Sequence, residues 1–374
     1  METPPDRPLR HGYTTGSCAT AAAKAALESL LAQAPVCEAT IRLPIGQWVT
    51  FALQDVRVAR ESAEATAIKD GGDDPDATHG ARIVATVSYT DAPGVEIDGG
   101  VGVGRVTKPG LPIPVGLAAI NPVPRQMISE TCQQVLEEHG VARGVRVVIS
   151  VPEGEEIAKK TLNGRLGILG GISILGTRGT VVPFSTAAYK ASIAYAMNVA
   201  KAQQLKTVVL TTGGRSEKYA MKLFPELPEE SFVEMGDFVG FSAKHAKRVG
   251  MEEIRLVGMM GKFSKIAQGV MMVHARSAPV DFDFLAGLVA EAGVTDPERL
   301  SQVRTANTAT QVGDWMVEWG YPQFFEQVAL ACCRQVSRHI GGGLCVKTHL
   351  TTLQGEYLGG AWLNDETGDR GGYR

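Results

Sequence analysis

Three cations, Arg105, Lys108 and Arg125, sit in or beside a stretch (residues 94–124) so dense in glycine and proline that regular structure cannot run far through it. Charged and apolar residues alternate there, which indicates ordered loops. An arginine or lysine fixed in such a loop suits a carboxylate, arginine with two parallel hydrogen bonds; the alternative is an ordinary solvated charge. A second set comprises Thr212, Gly213, Gly214 and Arg215, and the turn from Gly258 through Gly261 and Lys262. Each follows a β-prone run and precedes a helical one. Glycines at such a helix start let backbone amides approach an anion or a flat ligand, unless they merely close tight turns. His274, after a helical run, is a candidate general base, with a satisfied core histidine as the alternative.

Other patterns point less far. Gly99-Gly100-Val101-Gly102-Val103-Gly104 lacks the third glycine of a dinucleotide fingerprint, and Lys108-Pro109-Gly110 forbids the helix that should follow. Gly258-Met259-Met260-Gly261-Lys262-Phe263-Ser264 has the setting of a P-loop, but its first glycine is misplaced and its serine is one residue late. The acidic run Asp73-Asp74-Pro75-Asp76, near Thr78 and His79, reads as a cation site or as a turn closed by carboxylates. None of the six cysteines forms a C-x-x-C pair, so no zinc or dithiol motif is signalled and no protein-held metal is expected.

The elements that must position these residues divide the chain in two. Residues 18–31 form an alanine-rich helix, with Thr15 or Ser17 available as N-cap. β-Prone runs at 40–43, 48–53, 56–58 and 83–89 predict a largely antiparallel sheet. Asn121-Pro122 opens a helix that Gly140 closes, and a strand follows over 145–151. The glycine-dense segment 163–179 then leads into a helix with Ala188, Ala191, Tyr195, Val199 and Ala202 on one face. Beyond it strands at 207–210 and 254–257 alternate with helices, the pattern of a parallel sheet. Further helices are expected at 282–292, 305–318 and 323–340, the last with Phe325, Val328, Cys332 and Val336 facing a core. The expected architecture is an α+β domain over residues 1–180, a Rossmann-like α/β domain over 181–363, and a mobile polar tail over 364–374.

At 374 residues the chain exceeds what one compact core supports, in keeping with two domains. A net charge of −3 and a pI near 6.2 argue against nucleic acid or an anionic membrane as the main partner. No run reaches the roughly 18 apolar residues of a membrane span, and the opening residues lack the apolar stretch of a signal peptide. A cytoplasmic protein is expected; whether it self-associates is left open.

Several strings together resemble one family, CbiD. They are Gly12-Tyr13-Thr14-Thr15-Gly16-Ser17-Cys18-Ala19, the stretch from Lys69-Asp70-Gly71-Gly72 to His79-Gly80, and Gly102-Val103-Gly104-Arg105-Val106-Thr107-Lys108-Pro109-Gly110-Leu111. Ala119-Ile120-Asn121-Pro122-Val123-Pro124-Arg125, the run from Leu166 to Thr177, and Gly261-Lys262 continue the match in order over residues 10–275. Where the family shows Thr-His-Ser, this chain has Val273-His274-Ala275. Only the histidine carries over.

The resemblance implies a methyltransferase of the anaerobic cobalamin pathway, acting on C1 of cobalt-precorrin-5B with S-adenosylmethionine as co-substrate and cobalt present only inside the substrate. The acceptor is a macrocycle with many carboxylate arms. Arg105, Lys108 and Arg125, with Thr14, Thr15 and Ser17 at the first helix start, are therefore the expected substrate-binding set. Thr212, Gly213, Gly214, Arg215, Gly258, Gly261 and Lys262 are the expected donor-binding set, beyond the carboxyl ends of the parallel strands. His274 is the expected catalytic base, if the reaction needs one. Two other readings remain open: a corrinoid carrier without catalysis, and a nucleotide-dependent phosphotransferase using Gly261-Lys262.

Overall fold

The computed structural model describes residues 7–364 and 367–373. The chain falls into two compact units, one ending at Ser185 and the other beginning at Thr186.

In the first unit the alanine-rich run forms a helix over Thr15–Ala32. Thr14 is its N-cap, accepting the backbone N–H of Ser17, so the cap lies one residue ahead of the expected Thr15 or Ser17. Both of those hydroxyls instead bond to carbonyls from the segment after residue 170. The helix is buried on nearly every face, as its small apolar composition requires. It lies against the strands Ser62–Ile68 and Arg82–Thr90 and the helix Pro122–Glu138. The main sheet has the order Gln54–Val58, Ser62–Ile68, Arg82–Thr90, Gly144–Ser150, Val95–Gly99. Its pairings are antiparallel except the last.

Across the loop-rich stretch the backbone is held by two-residue ladders. Gly102–Val103 pairs with Gly171–Ile172, and Arg105–Val106 with Ile168–Leu169. Gly102 has φ +70°, and a Cβ there would stand 1.8 Å from the carbonyl oxygen of Val151, so no other residue fits. These ladders, rather than any helix or long strand, make the glycine-rich segments ordered.

The second unit is built on one six-stranded sheet ordered Phe232–Glu234, Thr207–Thr211, Glu253–Gly258, Cys345–Thr351, Tyr357–Asn364, Arg370–Tyr373. The first four strands run parallel and the last two are added antiparallel. Val208, Leu210, Ile254 and Leu256 face one main core with most of the helices, including Gln323–Ile340. Val209, Val257 and Phe232 face the other way, under the helix Gly214–Leu223. Cys332 lies in the main core with Phe325, Val328 and Val336.

Two expectations are corrected here. The helix expected over 305–318 is Ala309–Glu318, preceded by a separate helix Pro297–Arg304, because Thr308 caps the second by accepting the N–H of Gln311. The polar tail expected from Asn364 is not a tail over Arg370–Tyr373. Those residues pair with Gly360, Ala361, Trp362 and Leu363 as an edge strand, and Gly371 lets the backbone pass against the Trp362 ring. Asp365, Glu366 and Arg374 lie outside the described residues. Among the described residues, no helix is long and apolar enough to cross a membrane.

Candidate active site

Within the first unit, three distant strings of sequence converge on a cavity of about 170 Å³. Thr14 and Thr15 come from the first helix start, Lys69, Asp76 and Thr78 from the acidic loop, and Ile172, Ser173 and Leu175 from the glycine-dense segment, with Asn163 beside them. Lys69 follows the strand Ser62–Ile68 and is only 2% exposed. Its ammonium pairs with Asp76 Oδ2 at 2.5 Å. Asp76 Oδ1 meanwhile accepts the backbone N–H of Thr78 at 2.7 Å and its hydroxyl at 2.6 Å. Burial works against ionisation of this carboxyl, but the Lys69 charge and these donors outweigh it and hold its pKa below the usual carboxylate range.

The acidic run is thus a turn whose carboxylates take donors from the protein. Asp73 accepts the Arg10 N–H, Asp74 that of Phe184, and Asp70 pairs with the Arg10 guanidinium. The turn reading of the sequence holds, and Lys69 and Asp76 are the residues that the sequence reading did not single out for the site. The signal was their place in the second family string.

Of the expected substrate-binding residues, Thr14 and Thr15 line this cavity, whereas Ser17 is fully buried with its hydroxyl on the Gly179 carbonyl at 2.7 Å. The three expected cations lie outside its lining. Arg105 is exposed and pairs with Asp98 at 3.1 Å, while Arg125 donates to the Ile97 carbonyl at 2.9 Å. Both are therefore anchored on the edge strand Val95–Gly99. Lys108 lays its methylene stem against Gly167. His274 lines neither this cavity nor the one described below. Its Nδ1 accepts the Arg276 N–H at 3.2 Å and its carbonyl accepts Lys265 and Ser277, so it closes a turn.

In the second unit the expected donor-binding residues gather at the carboxyl ends of parallel strands, because Thr207–Thr211 and Glu253–Gly258 are neighbours in register. Lys262 spans the two turns, donating to the Thr212 carbonyl at 3.2 Å and pairing with buried Asp237 at 3.0 Å. That ammonium is committed within the protein, unlike the lysine of a phosphate-binding loop. Among the described residues, Gly213 and Gly214 have no atom within 4 Å of where a Cβ would be, and Gly261 has only Thr310 Oγ1 at 3.9 Å. They leave open space. Gly258 differs: a Cβ there would stand 2.2 Å from the Phe263 ring, so this glycine serves packing. Arg215 is exposed, with no hydrogen-bond or ion-pair partner among the described residues.

Glu234 was invisible to the sequence reading. It ends a three-residue strand paired in register with Thr211, and its Oε1 accepts the Tyr189 hydroxyl at 3.3 Å. A strand this short carries no readable alternation. On the sheet face beyond the helix Gly214–Leu223 lies a second cavity, of about 360 Å³, lined by Phe224, Glu226, Arg255, Lys347, His349, Tyr357 and Tyr373 among others. His349 is 6% exposed, its Nδ1 is 3.2 Å from the Tyr357 hydroxyl, and its Nε2 has no hydrogen-bond partner among the described residues.

The chain matches the family model described as CbiD over residues 2–183 and that described as CbiD, C-terminal domain, over residues 272–362. It is 63% identical to the cobalt-precorrin-5B C(1)-methyltransferase of Geobacillus kaustophilus, across 99% of this chain and 100% of that protein. It is 61% identical to that of Geobacillus sp. (strain WCH70), across 98% and 99%, and 61% identical to that of Priestia megaterium, across 96% and 99%. Among solved structures, a crystal structure of the cobalamin biosynthesis protein (cbiD) from Archaeoglobus fulgidus is 32% identical, covering 68% of this chain and 78% of that one with a TM-score of 0.38. With both family models matched in order and relatives this similar over nearly its whole length, the chain belongs to the CbiD family.

Proposed function

We propose that this chain methylates ring carbon C1 of cobalt-precorrin-5B in cobalamin biosynthesis, with S-adenosylmethionine as the donor and the cytoplasm as its setting. The observation that carries this reading is the 61–63% identity, over nearly the full length of both partners, to relatives named for that reaction. The chemistry asks little covalent help of the protein. A sulfonium is already a good leaving group, the conjugated macrocycle is electron-rich, and the remaining task is to hold methyl and carbon in line at about 3–3.5 Å without water.

In this reading the first unit holds the macrocycle, with Thr14 and Thr15 at its cavity and Arg105, Lys108 and Arg125 as the cations that meet its carboxylate arms. The second unit, Rossmann-like in its parallel strands, holds the donor at their carboxyl ends. Lys262 is neutralised by Asp237, so its charge does not oppose the sulfonium. Arg215 remains for the methionyl carboxylate. Transfer of an isotope-labelled methyl group from S-adenosylmethionine, with NMR assignment of the labelled carbon, tests the reaction; label on any ring carbon other than C1 rejects it.

The open space at Gly213 and Gly261 permits a sharper test of the donor site. Gly213→Val and Gly261→Val, made separately, each place the new side chain in open space; at position 213 the backbone, with φ +159° and ψ 167°, also strains any residue but glycine, so circular dichroism checks that this variant is folded before titration. Each is expected to weaken S-adenosylhomocysteine binding by about tenfold, equivalent to roughly 1.4 kcal/mol. Calorimetric titration gives the result. Unchanged affinity in both folded variants would remove the donor from this edge.

A further inference from the structure

The cavity around Lys69 holds more hydrogen-bond donors than acceptors to receive them. An ammonium has three N–H donors, and among the described residues Asp76 is the one hydrogen-bond partner of the Lys69 ammonium. Asn163, 8% exposed, uses its carbonyl oxygen to accept the Ser173 hydroxyl, while its amide nitrogen has no acceptor among the described residues. The nearby hydroxyls are already turned to protein groups: Thr15 to the Leu175 carbonyl, Thr78 to Asp76, and Thr161 to the Ala158 carbonyl. None of these residues leaves a polar side-chain atom both enclosed and unpartnered among the described residues, so the spare N–H groups of Lys69 and Asn163 are open to the cavity and an acceptor that enters it can reach them.

The size and lining of the space narrow its chemistry. About 170 Å³ is the volume of roughly five or six waters, enough for a carboxymethyl or carboxyethyl chain and far too small for a macrocycle. Ile172, Leu175 and Val181 offer apolar wall to methylene groups, and Lys69 and Asn163 offer N–H groups to a terminal anion. Asp76 balances the ammonium before a ligand arrives. It is not stranded when the ammonium is shared, since Thr78 supplies it with two donors of its own.

We propose that this cavity takes one carboxylate arm of the macrocycle, with the Lys69 ammonium and the Asn163 amide as donors and the apolar wall around the arm's methylenes. The proposal rests on the reading that the first unit binds the macrocycle. It makes the Lys69–Asp76 pair a recognition device for one arm, and it sets a requirement that this arm be a free carboxylate rather than an amide or ester.

The test uses the full-length protein and two probes, a cobalt corrinoid with free carboxylate arms and the same corrinoid with every arm a methyl ester. Binding is followed by the visible absorbance of the corrinoid. Lys69→Met removes the charge, Lys69→Met/Asp76→Asn removes the pair without stranding Asp76, and Asn163→Leu removes the amide donor while leaving the ion pair alone. Each is expected to weaken binding of the free acid by about 10- to 100-fold, the scale of hydrogen bonds to a charged group. Ester binding and S-adenosylhomocysteine binding should stay at wild-type levels. Free-acid binding that is unchanged in the folded variants overturns the arm site alone, and so does a loss of equal size for acid and ester. Wild-type protein that binds neither corrinoid overturns the reading on which the site rests.

Discussion

Replacing Glu234 by alanine is expected to weaken S-adenosylhomocysteine binding by about 10- to 100-fold, the scale of losing hydrogen bonds to a charged group. The expectation follows from strand order. Glu234 ends the strand beside Thr207–Thr211, paired in register with Thr211, and so stands next to the turn that carries Gly213 and Gly214. In open sheets of this kind the glycine turn takes one part of a nucleoside ligand, and an acid about 20 residues on, at the end of the neighbouring strand, takes the ribose hydroxyls. A carboxylate can accept both hydroxyls of a vicinal diol in short, charge-assisted bonds. Its negative charge also favours a sulfonium donor.

Tyr189 fixes the carboxylate by donating its hydroxyl to Oε1. The phenol is itself held protonated, since burial first and the Glu234 charge next raise its pKa. Tyr189→Phe should therefore cost less than Glu234→Ala, because it loosens the carboxylate without removing it. A donor analogue lacking both ribose hydroxyls supplies the control. Wild-type and Glu234→Ala proteins should bind that analogue equally well. If Glu234→Ala weakens both ligands alike, the carboxylate supports the fold of the edge rather than the ribose.

The second large effect concerns acid and His349. Burial first, then the positive charges of Arg255 and Lys347, push this imidazole down to about 4. An unfolded histidine titrates near 6.5. Between those values the unfolded chain binds a proton that the folded chain refuses, so stability is complete above about pH 6.5 and is lost as pH falls toward about 4. The loss at pH 4.5 should be about 2–3 kcal/mol from this residue alone. Denaturant unfolding of the wild type and of His349→Gln at pH 7 and pH 4.5 isolates it, since carboxylates elsewhere contribute equally to both proteins. The wild type should lose about 2–3 kcal/mol more than the variant over that interval. An identical pH dependence in the two proteins would mean that His349 is not held neutral by its surroundings.

The sequence by itself determined those features whose cause is local. The alanine run had to become a buried helix, because small apolar residues on every face leave no side for water. Asn121-Pro122 set a helix start because proline there has its fixed φ and gives up no needed hydrogen bond. The runs near 207 and 254, each followed by glycine and then helix, stated a parallel sheet and the edge at which its loops meet. The long matching strings carried the family.

Tertiary structure alone decided which of those features meet. Periodicity tells which face of an element is buried but not what lies against it, so nothing near Lys69 in sequence revealed that its ammonium would be enclosed with Asn163 and Ser173, about a hundred residues away. Glu234 acquired its place from the pairing of two short strands, too brief to show alternation. Lys262 follows a glycine at a helix start, as an anion-binding lysine does, but Asp237, in the loop after Phe232–Glu234, neutralises it. The polar end of the chain, with too few apolar residues to predict a strand, became one because the exposed edge of Tyr357–Asn364 offered backbone partners and Trp362 a surface to cover. In each case the deciding energy is a contact between residues far apart in the chain, and that contact exists only once the fold has closed.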